Sequence, residues 1–341
     1  MDVEEIVALS VKHNAADLHL CSGHLPHWRR HGVLEPMSDF PPIASAQLEA
    51  LAQRWLDAPQ QRCLAADGHI DFAMTSGGQR LRANLFRQRM GMSLALRLIA
   101  DKCPSLEDLR LPASVPPLLA QQDGLILITG ATGSGKSTTL ASMVDELNQH
   151  QARHIITLED PVEFIHVSRR ALIQQRQIGL HCSSFQQGLR AALREDPDVI
   201  LLGELRDLDT ISLALTAAET GHLVLATLHT RGAAQAVDRL IDVFPAEQKN
   251  LVRSQLAGSL KAIIAQRLTA AKEAGRIGLY EVLINTPAVA SLIREGKTHQ
   301  IGGLLQTGMQ SGMQTFEQSL RQRERQGLIA TPSDSQTSFP E

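Results

Sequence analysis

Residues 125–138 read Leu125-Ile126-Leu127-Ile128-Thr129-Gly130-Ala131-Thr132-Gly133-Ser134-Gly135-Lys136-Ser137-Thr138. Phosphate oxygens need backbone N–H groups that converge on them, and a glycine-rich turn lets the chain curl that closely. Gly130, Gly133 and Gly135 meet this need, and a helix that begins near Lys136 would point the positive end of its dipole at the anion. The spacing matches the G-x-x-x-x-G-K-[ST] pattern. These residues therefore predict a phosphate-binding loop between an apolar strand and a helix.

The residues of this loop have separate predicted roles. Lys136 is expected to reach the β- and γ-phosphates, Ser137 to ligate Mg²⁺, and Thr138 to extend the cradle of amides. We therefore predict ATP and Mg²⁺ as cofactors. The predicted nucleotide-binding residues of the loop are Gly130, Thr132, Gly133, Ser134, Gly135, Lys136, Ser137 and Thr138. A chance match in a glycine-containing turn is the alternative, and the strand before the loop and the helix after it argue against that.

Two acidic segments follow apolar strands. The first reads Thr157-Leu158-Glu159-Asp160-Pro161-Val162-Glu163-Phe164. Carboxylates just past a strand end lie where an α/β sheet binds ligands, although a solvated acidic turn bent at Asp160-Pro161 explains the same residues. The second strand, residues 198–204, ends in Glu204. In P-loop enzymes a carboxylate there holds Mg²⁺ or orients the attacking water, so we predict Glu204 as a catalytic and metal-binding residue.

Two groups contain metal-binding residue types without a metal-binding pattern. His222 and His229 bracket residues 223–228, and their spacing on a strand puts them on opposite faces, so we expect no shared metal. His229 is instead a candidate for stabilising charge near a γ-phosphate. The second group lies near the N-terminus and contains Cys21, His24, His27 and His31. Its spacing matches no zinc pattern, and the surrounding sequence predicts a turn between strands.

Composition limits the classes of function. The chain has 341 residues, of which 43% are hydrophobic and 3% aromatic, and its net charge is −3. This length predicts two domains. The weak charge and the few aromatic residues do not indicate a nucleic-acid partner. Apolar stretches are far shorter than the roughly 20 residues of a membrane helix. Because the start is acidic and the four cysteines include no C-x-x-C pair, we expect a cytoplasmic protein without direct membrane insertion.

The pattern along the chain predicts five consecutive regions. They are a small α+β domain at 1–105, a linker at 106–120, an α/β core at 121–284, a helical subdomain at 285–328 and a disordered tail at 329–341. Alternation of strands and helices in the core predicts a mostly parallel sheet with helices on both faces. Beyond Pro245 the pattern predicts mainly helix to about residue 326, interrupted by a strand at 277–284.

The phosphate loop, both acidic segments and the histidine segment occur together and in order. The histidine segment reads Glu219-Thr220-Gly221-His222 and Thr227-Leu228-His229-Thr230, and Leu193-Arg194-Glu195-Asp196-Pro197-Asp198 precedes the second acidic strand. In this combination the sequence resembles the secretion-type ATPases of type IV pili and type II secretion. The resemblance extends over roughly residues 3–326, including the segments 16–20, 242–248 and 294–301. It points to the pilus-retraction, PilT-type branch.

The resemblance implies a fold class and a function. The fold is a RecA-like P-loop ATPase domain with a mostly parallel sheet, preceded by a small α+β, PAS-like N-terminal domain and followed by a helical C-terminal region. The function is that of a homohexamer that couples ATP hydrolysis to retraction of a type IV pilus. Its partners would be an inner-membrane platform protein and, indirectly, pilin, so that the cytoplasmic motor is peripheral to the inner membrane.

The resemblance also assigns residues. It implies the catalytic set Glu204, Glu163, His229, Arg82 and Arg97. It adds Arg190 and Arg194, one helical turn apart, to the nucleotide-binding set. From the residues alone, these four arginines are solvated surface charges. A fork-shaped cation aimed at a γ-phosphate contributes a factor of about 10³–10⁵ in rate, so the assignment matters.

Other functions remain open at the level of sequence. A secretion or pilus-assembly ATPase is the first alternative, although the assembly branch usually carries an additional N-terminal domain and a four-cysteine zinc motif that this chain lacks. A regulatory subunit that binds nucleotide without driving retraction is the second, and a DNA-translocating ring is a third. The family's retraction motif, Ala-Ile-Arg-Asn-Leu-Ile-Arg-Glu, is matched here by Ala288-Val289-Ala290-Ser291-Leu292-Ile293-Arg294-Glu295. The missing arginine and asparagine predict weaker coupling to retraction with an unchanged ATP site, unless both positions are tolerant surface sites.

Overall fold

The computed structural model describes residues 3–13, 15–30, 33–99, 102–273 and 275–329. The chain forms two compact units. The first contains residues 1–102 together with Pro161–Phe164, and the second contains residues 103–160 and 165–341. Residues 106–120, predicted as a linker, belong to the second unit, where Val115 and Leu119 are buried. Except for Ile329, the predicted tail lies outside the described residues.

The first unit combines helices with one antiparallel sheet. In chain order its elements are α1 (Val3–Lys12), β1 (Asp17–Cys21), β2 (His27–Arg30), β3 (Val33–Pro36), α2 (Ser45–Trp55), α3 (Ala58–Asp67), β4 (His69–Ser76), β5 (Gln79–Gln88) and β6 (Gly91–Leu98). The strand order is β3-β2-β1-β6-β5-β4. Residues alternate between the two faces of each strand, so Leu18 and Leu96 lie in the core while Asp17, His19 and Arg97 lie on the opposite face.

The second unit is an α/β domain with a larger sheet. Its elements continue as β7 (Gly124–Thr129), α4 (Lys136–His150), β8 (His154–Glu159), β9 (Leu172–Gln177), α5 (Phe185–Ala192), β10 (Val199–Leu202), α6 (Leu208–Glu219), β11 (Leu223–Leu228), α7 (Ala233–Asp242), α8 (Ala246–Ser259), β12 (Leu260–Ala270), β13 (Arg276–Ile284), α9 (Pro287–Arg294), α10 (Ile301–Thr307) and α11 (Phe316–Arg325). The strand order is β13-β12-β7-β11-β10-β8-β9. All neighbours are parallel except β12 and β13.

Helices cover both faces of this sheet, which explains why its central strands β7, β11 and β10 are buried along their whole length and mostly apolar. Along β7, Leu125 and Leu127 face a core that includes residues of α6, α7 and α8. Ile126 and Ile128 face the other core, which includes the apolar residues of α4. The prediction of a mostly parallel sheet with helices on both faces is confirmed.

Two strands of the second sheet differ from the sequence prediction. The mainly helical pattern predicted beyond Pro245 is wrong for residues 260–270, which form β12. The helix α8 ends at Ser259 and β12 begins at the next residue, so no loop separates the helix from the strand. The edge strand β9 was not predicted either. Within the described residues, no helix is both long and apolar enough to span a membrane.

Candidate nucleotide-binding site

The loop between β7 and α4 has the backbone conformation that a phosphate cradle needs. Gly130, Gly133 and Gly135 have φ angles of 152°, 77° and 89°, a region that residues with a side chain rarely adopt. Gly135 directly precedes the first residue of α4. The first N–H groups of a helix have no acceptor within it, so those of α4 are available to an anion at this end.

The side-chain amine of Lys136 is hydrogen-bonded to the backbone of the loop. Its side chain is largely buried, and its Nζ donates to the carbonyl oxygens of Gly130 at 2.9 Å and Ala131 at 3.1 Å. Burial lowers the pKa of Lys136, and the negative charge of Glu204 opposes that shift. A phosphate would be a stronger acceptor for this amine than the two neutral carbonyl groups.

Glu204 lies just past the end of β10 and has two partners. Its Oε2 is 3.2 Å from Nε2 of His229, which follows β11, and its Oε1 contacts the guanidinium of Arg206. The hydrogen bond that Arg206 donates to Glu204 raises the pKa of Arg206. Only 15% of the Glu204 side chain is exposed. The structure therefore brings together Glu204 and His229, two of the predicted catalytic residues.

Hydroxyl groups connect the ends of the strands that carry these side chains. Thr129, the last residue of β7, has its Oγ1 2.6 Å from the carbonyl oxygen and from the Oγ1 of Thr230. Thr227 near the end of β11 donates its hydroxyl to the carbonyl of Gly203, directly before Glu204. The carboxyl ends of parallel strands are where α/β sheets bind ligands. Here hydrogen bonds connect the ends of the three neighbouring strands β7, β11 and β10.

The other predicted loop residues differ in exposure. Thr132, Gly133 and Ser137 are exposed, and Thr138 is partly exposed. Ser134 is buried, and its hydroxyl has no hydrogen-bond partner within the described part of the chain. Ser137 and Glu204 contribute hydroxyl and carboxylate oxygens, the donor types that Mg²⁺ prefers. These two side chains therefore fit the chemistry of a magnesium ion held together with a nucleotide.

The four predicted arginines lie in different environments. In the first unit, Nη1 of Arg82 on β5 is 3.1 Å from Oε1 of Glu163, which belongs to the same unit. Arg97 on β6 pairs instead with Asp17, at 2.8 Å. In the second unit, Arg190 lies on α5 and Arg194 two residues beyond its end, and both are exposed.

The histidines that were considered as metal ligands have separate positions. His222 precedes β11, and its Nδ1 is 3.1 Å from the carbonyl oxygen of Ala217 at the end of α6, whereas His229 contacts Glu204. Cys21 ends β1, and His24 lies in the turn before β2. His31 lies outside the described residues.

Comparison with known proteins identifies the family. The family profile described as type II/IV secretion system protein matches residues 27–333. The chain belongs to this type II/IV secretion family. It is 61% identical over 330 residues to the uncharacterized protein YggR of Escherichia coli strain K12, covering 96% of this chain and 100% of YggR. It is 44% identical over 331 residues to the type IV pilus retraction ATPase PilT of Pseudomonas aeruginosa, covering 97% and 96% of the two chains.

A solved structure of the type II/IV secretion family agrees with this assignment. The crystal structure described as the pilus retraction motor PilT with bound ADP has a TM-score of 0.87 and 42% identity to this chain. It covers 100% of this chain and 98% of that one. The family resemblance inferred from the motifs is confirmed, and the chain is an ATP hydrolase of this family.

Two residues near the site were not predicted for the roles that they have. Arg206 and Asp207 follow the second acidic strand, where the sequence predicts the start of the next helix. Asp207 accepts from the N–H of Thr210 and caps α6, and Arg206 also contacts Glu204. Gln266 on β12 was not singled out, because the strand itself was not predicted. The apolar residues 262–265 are followed directly by Gln266, and this polar residue at the end of an apolar run was the one sequence signal for it.

Proposed function

We propose that the chain couples hydrolysis of magnesium-bound ATP to retraction of a type IV pilus. One observation carries the ATP site: the loop at 130–135 with Lys136 and the residue Glu204 both lie beyond the carboxyl ends of parallel strands of the same sheet. The negative charge of Glu204 also acts to raise the pKa of Lys136. The loop and the start of α4 bind the phosphates, and Lys136 leaves its two carbonyl partners to contact the β- and γ-phosphates.

Glu204 orients the attacking water and accepts its proton. His229, which contacts Glu204, stabilises the charge that develops at the γ-phosphate. Mg²⁺ would supply charge neutralisation when bound, and the oxygens of Ser137 and Glu204 would hold it. Arg82 and Arg97 contact phosphate oxygens during turnover, with Glu163 as a second catalytic carboxylate. Arg190 and Arg194 complete the nucleotide-binding set.

The relatives support the retraction function. The full-length similarity to a protein named as a pilus retraction ATPase, and to a structure named as a retraction motor, supports retraction as the work done. The working form is a homohexamer. It is cytoplasmic and lies at the inner membrane through a platform protein, with pilin as the indirect partner.

Two experiments test this proposal. Purified protein should release phosphate from ATP only with Mg²⁺, and activity should fall when dilution dissociates the hexamer, as followed by native mass measurement. Activity that persists unchanged in a demonstrably monomeric state would rule out a ring-dependent site. Absence of turnover would favour a regulatory subunit.

The direction of work is tested in the native cell. Deleting the gene and imaging pili should show accumulated surface pili that no longer shorten. Loss of surface pili would instead support an assembly function, and unchanged pili would contradict both functions.

A further inference from the structure

Gln266 is a buried polar side chain that directly follows the apolar residues 262–265 of β12. It lies on β12 between Ala265 and the exposed Arg267, and only 2% of its surface is exposed. Burying an amide is unfavourable unless its donor and acceptor groups are satisfied. The partners of this amide therefore decide what the residue does.

Both partners belong to the phosphate-loop region. Nε2 of Gln266 donates to the carbonyl oxygen of Ser134 at 2.8 Å. Its Oε1 accepts from Oγ1 of Thr139 on α4, also at 2.8 Å. One amide thus connects a residue of the loop to the first turns of the helix that follows. The two bonds use the donor and the acceptor of the amide, so a hydrocarbon side chain of the same size could make neither.

The loop glycines are also adapted to Gln266. A Cβ on Gly130 would lie 2.4 Å from the backbone oxygen of Gln266, and a Cβ on Gly135 would lie 2.8 Å from its Nε2. No heavy atom lies within 4 Å of the corresponding position at Gly133. Two of the three glycines therefore let the loop lie directly on Gln266, a requirement separate from the approach of a phosphate.

We infer that Gln266 is a positioning residue that holds the phosphate loop in its binding conformation before nucleotide arrives. The inference rests on the proposed binding of nucleotide by residues 130–138. A loop that is already ordered loses less conformational entropy on binding, so affinity is higher. The cradle contacts phosphates that ADP and ATP share. Gln266 therefore supports binding of both nucleotides equally and does not act on the chemical step.

The test compares nucleotide binding and turnover in full-length variants. Gln266→Leu removes both hydrogen bonds, and we expect the dissociation constants of fluorescent ADP and of a nonhydrolysable ATP analogue to rise by about tenfold, the scale of one to two lost hydrogen bonds. KM for ATP should rise by the same factor while kcat stays within about twofold, as for loss of uniform binding. A merely structural role would reduce the amount of active protein and so lower kcat at unchanged KM.

Matched variants separate the two contacts from general effects on the core. Ile264→Val alters a buried residue two positions away on the same strand, and its dissociation constants should equal those of the parent. Thr139→Val removes one of the two contacts and should weaken binding by about threefold. Combined with Gln266→Leu it should add little further, because the two residues share one bond. If Gln266→Leu does not fold, Thr139→Val decides the question.

The outcomes distinguish this inference from the proposed function. A parent protein that binds neither nucleotide, with Lys136→Ala no different from it, would overturn the proposed site itself. A parent that binds normally while Gln266→Leu and Thr139→Val also bind normally would overturn only the role of Gln266. That role would also be overturned if Ile264→Val weakened binding as much as Gln266→Leu does.

Discussion

The two sheets of this molecule present their charged residues in different ways. In the parallel part of the second sheet, strands such as β7 and β10 are buried along their whole length, and Glu204, His229 and the phosphate loop lie beyond the strand ends. In the antiparallel first sheet, Arg82 and Arg97 lie within the strands, on the face opposite to the core. A sheet that is covered on both faces can place functional side chains only beyond the ends of its strands. A sheet that is covered on one face can also place them on its other face.

The largest expected effect is at a strand end of the second sheet. Glu204→Gln should lower kcat at least about a hundredfold, the scale of lost general-base assistance, while ADP affinity stays close to that of the parent. The matched control is Asp198→Asn, because Asp198 lies at the other end of β10, where its Oδ2 accepts from the N–H of His154. A turnover assay should find this control near the parental rate. Parental turnover in Glu204→Gln would instead make Glu163 the first candidate.

A smaller effect is expected on the polar face of the first sheet. Arg82→Ala and Arg97→Ala should each lower kcat about tenfold, the scale of one charge-assisted hydrogen bond to a phosphate and well below the roughly 10³–10⁵ of a cation aimed at the γ-phosphate. Arg30→Ala serves as the control, since Arg30 pairs with Glu35 and stacks on Trp28 within the first unit. Phosphate release from all three variants under the same conditions checks the prediction. Equal rates in the three would mean that these arginines are surface charges, as the residues alone suggest.

A pH dependence should distinguish the loop lysine from ordinary surface lysines. Burial lowers the pKa of Lys136, and the protonated amine is the form that binds phosphate. As pH rises through that lowered pKa, binding must take up a proton, so ADP affinity should fall by up to about tenfold per pH unit. Titration from about pH 7.5 to about pH 10 measures this, with Lys136→Arg as a control that stays charged. The same dependence of ADP affinity on pH in both proteins would contradict this prediction.

The smallest expected effect on turnover is at the altered retraction motif. Ala290 is only 8% exposed and belongs to the core, whereas Ser291 is partly exposed and bonds to Glu295 at 3.0 Å. Ser291→Asn should leave stability nearly unchanged, while Ala290→Arg should cost about 1–3 kcal/mol because a large side chain enters a packed site. Thermal unfolding and phosphate release check this, with ATPase activity per folded molecule expected to stay at the parental level.

The same pair of variants tests coupling. In a piliated host without its own retraction ATPase, we expect the parent to restore twitching motility poorly and the double variant, Ala290→Arg with Ser291→Asn, to restore it better. Full motility with the parent would show that the departure at 290 and 291 is neutral. Because Ala290 is buried, it is not one of the tolerant surface sites that formed the alternative explanation.

The sequence was most informative where backbone requirements are strict. The loop glycines, the strand at Val199–Leu202 and the acid that follows it could be located because a phosphate cradle and a buried parallel strand each demand particular residues at a particular spacing. Strand β12 could not, since a short apolar run fits a buried helix as well as a strand and α8 leads into it without a break.

Missing β12 also meant missing Gln266. Its partners Ser134 and Thr139 are more than 120 residues away in sequence, and only the pairing of β12 with β7 brings them together. The pairing of Arg82 with Glu163 is similar, since nothing local in either segment indicates the other. Contacts of this kind depend on the order of strands in the sheet, which periodicity along the chain does not reveal.

The close packing of the loop on Gln266 also limits which substitutions the sequence can accept during evolution. A mutation that adds a side chain at Gly130 meets a backbone oxygen, which no change of residue at 266 can remove, so that glycine is fixed by the path of β12 itself. Gly135 meets only the movable end of the amide, and a shorter residue at 266 would open space for alanine there, although the positive φ would remain unfavourable. A side chain at position 135 should therefore require a shorter residue at position 266, whereas no change at position 266 makes room for one at position 130.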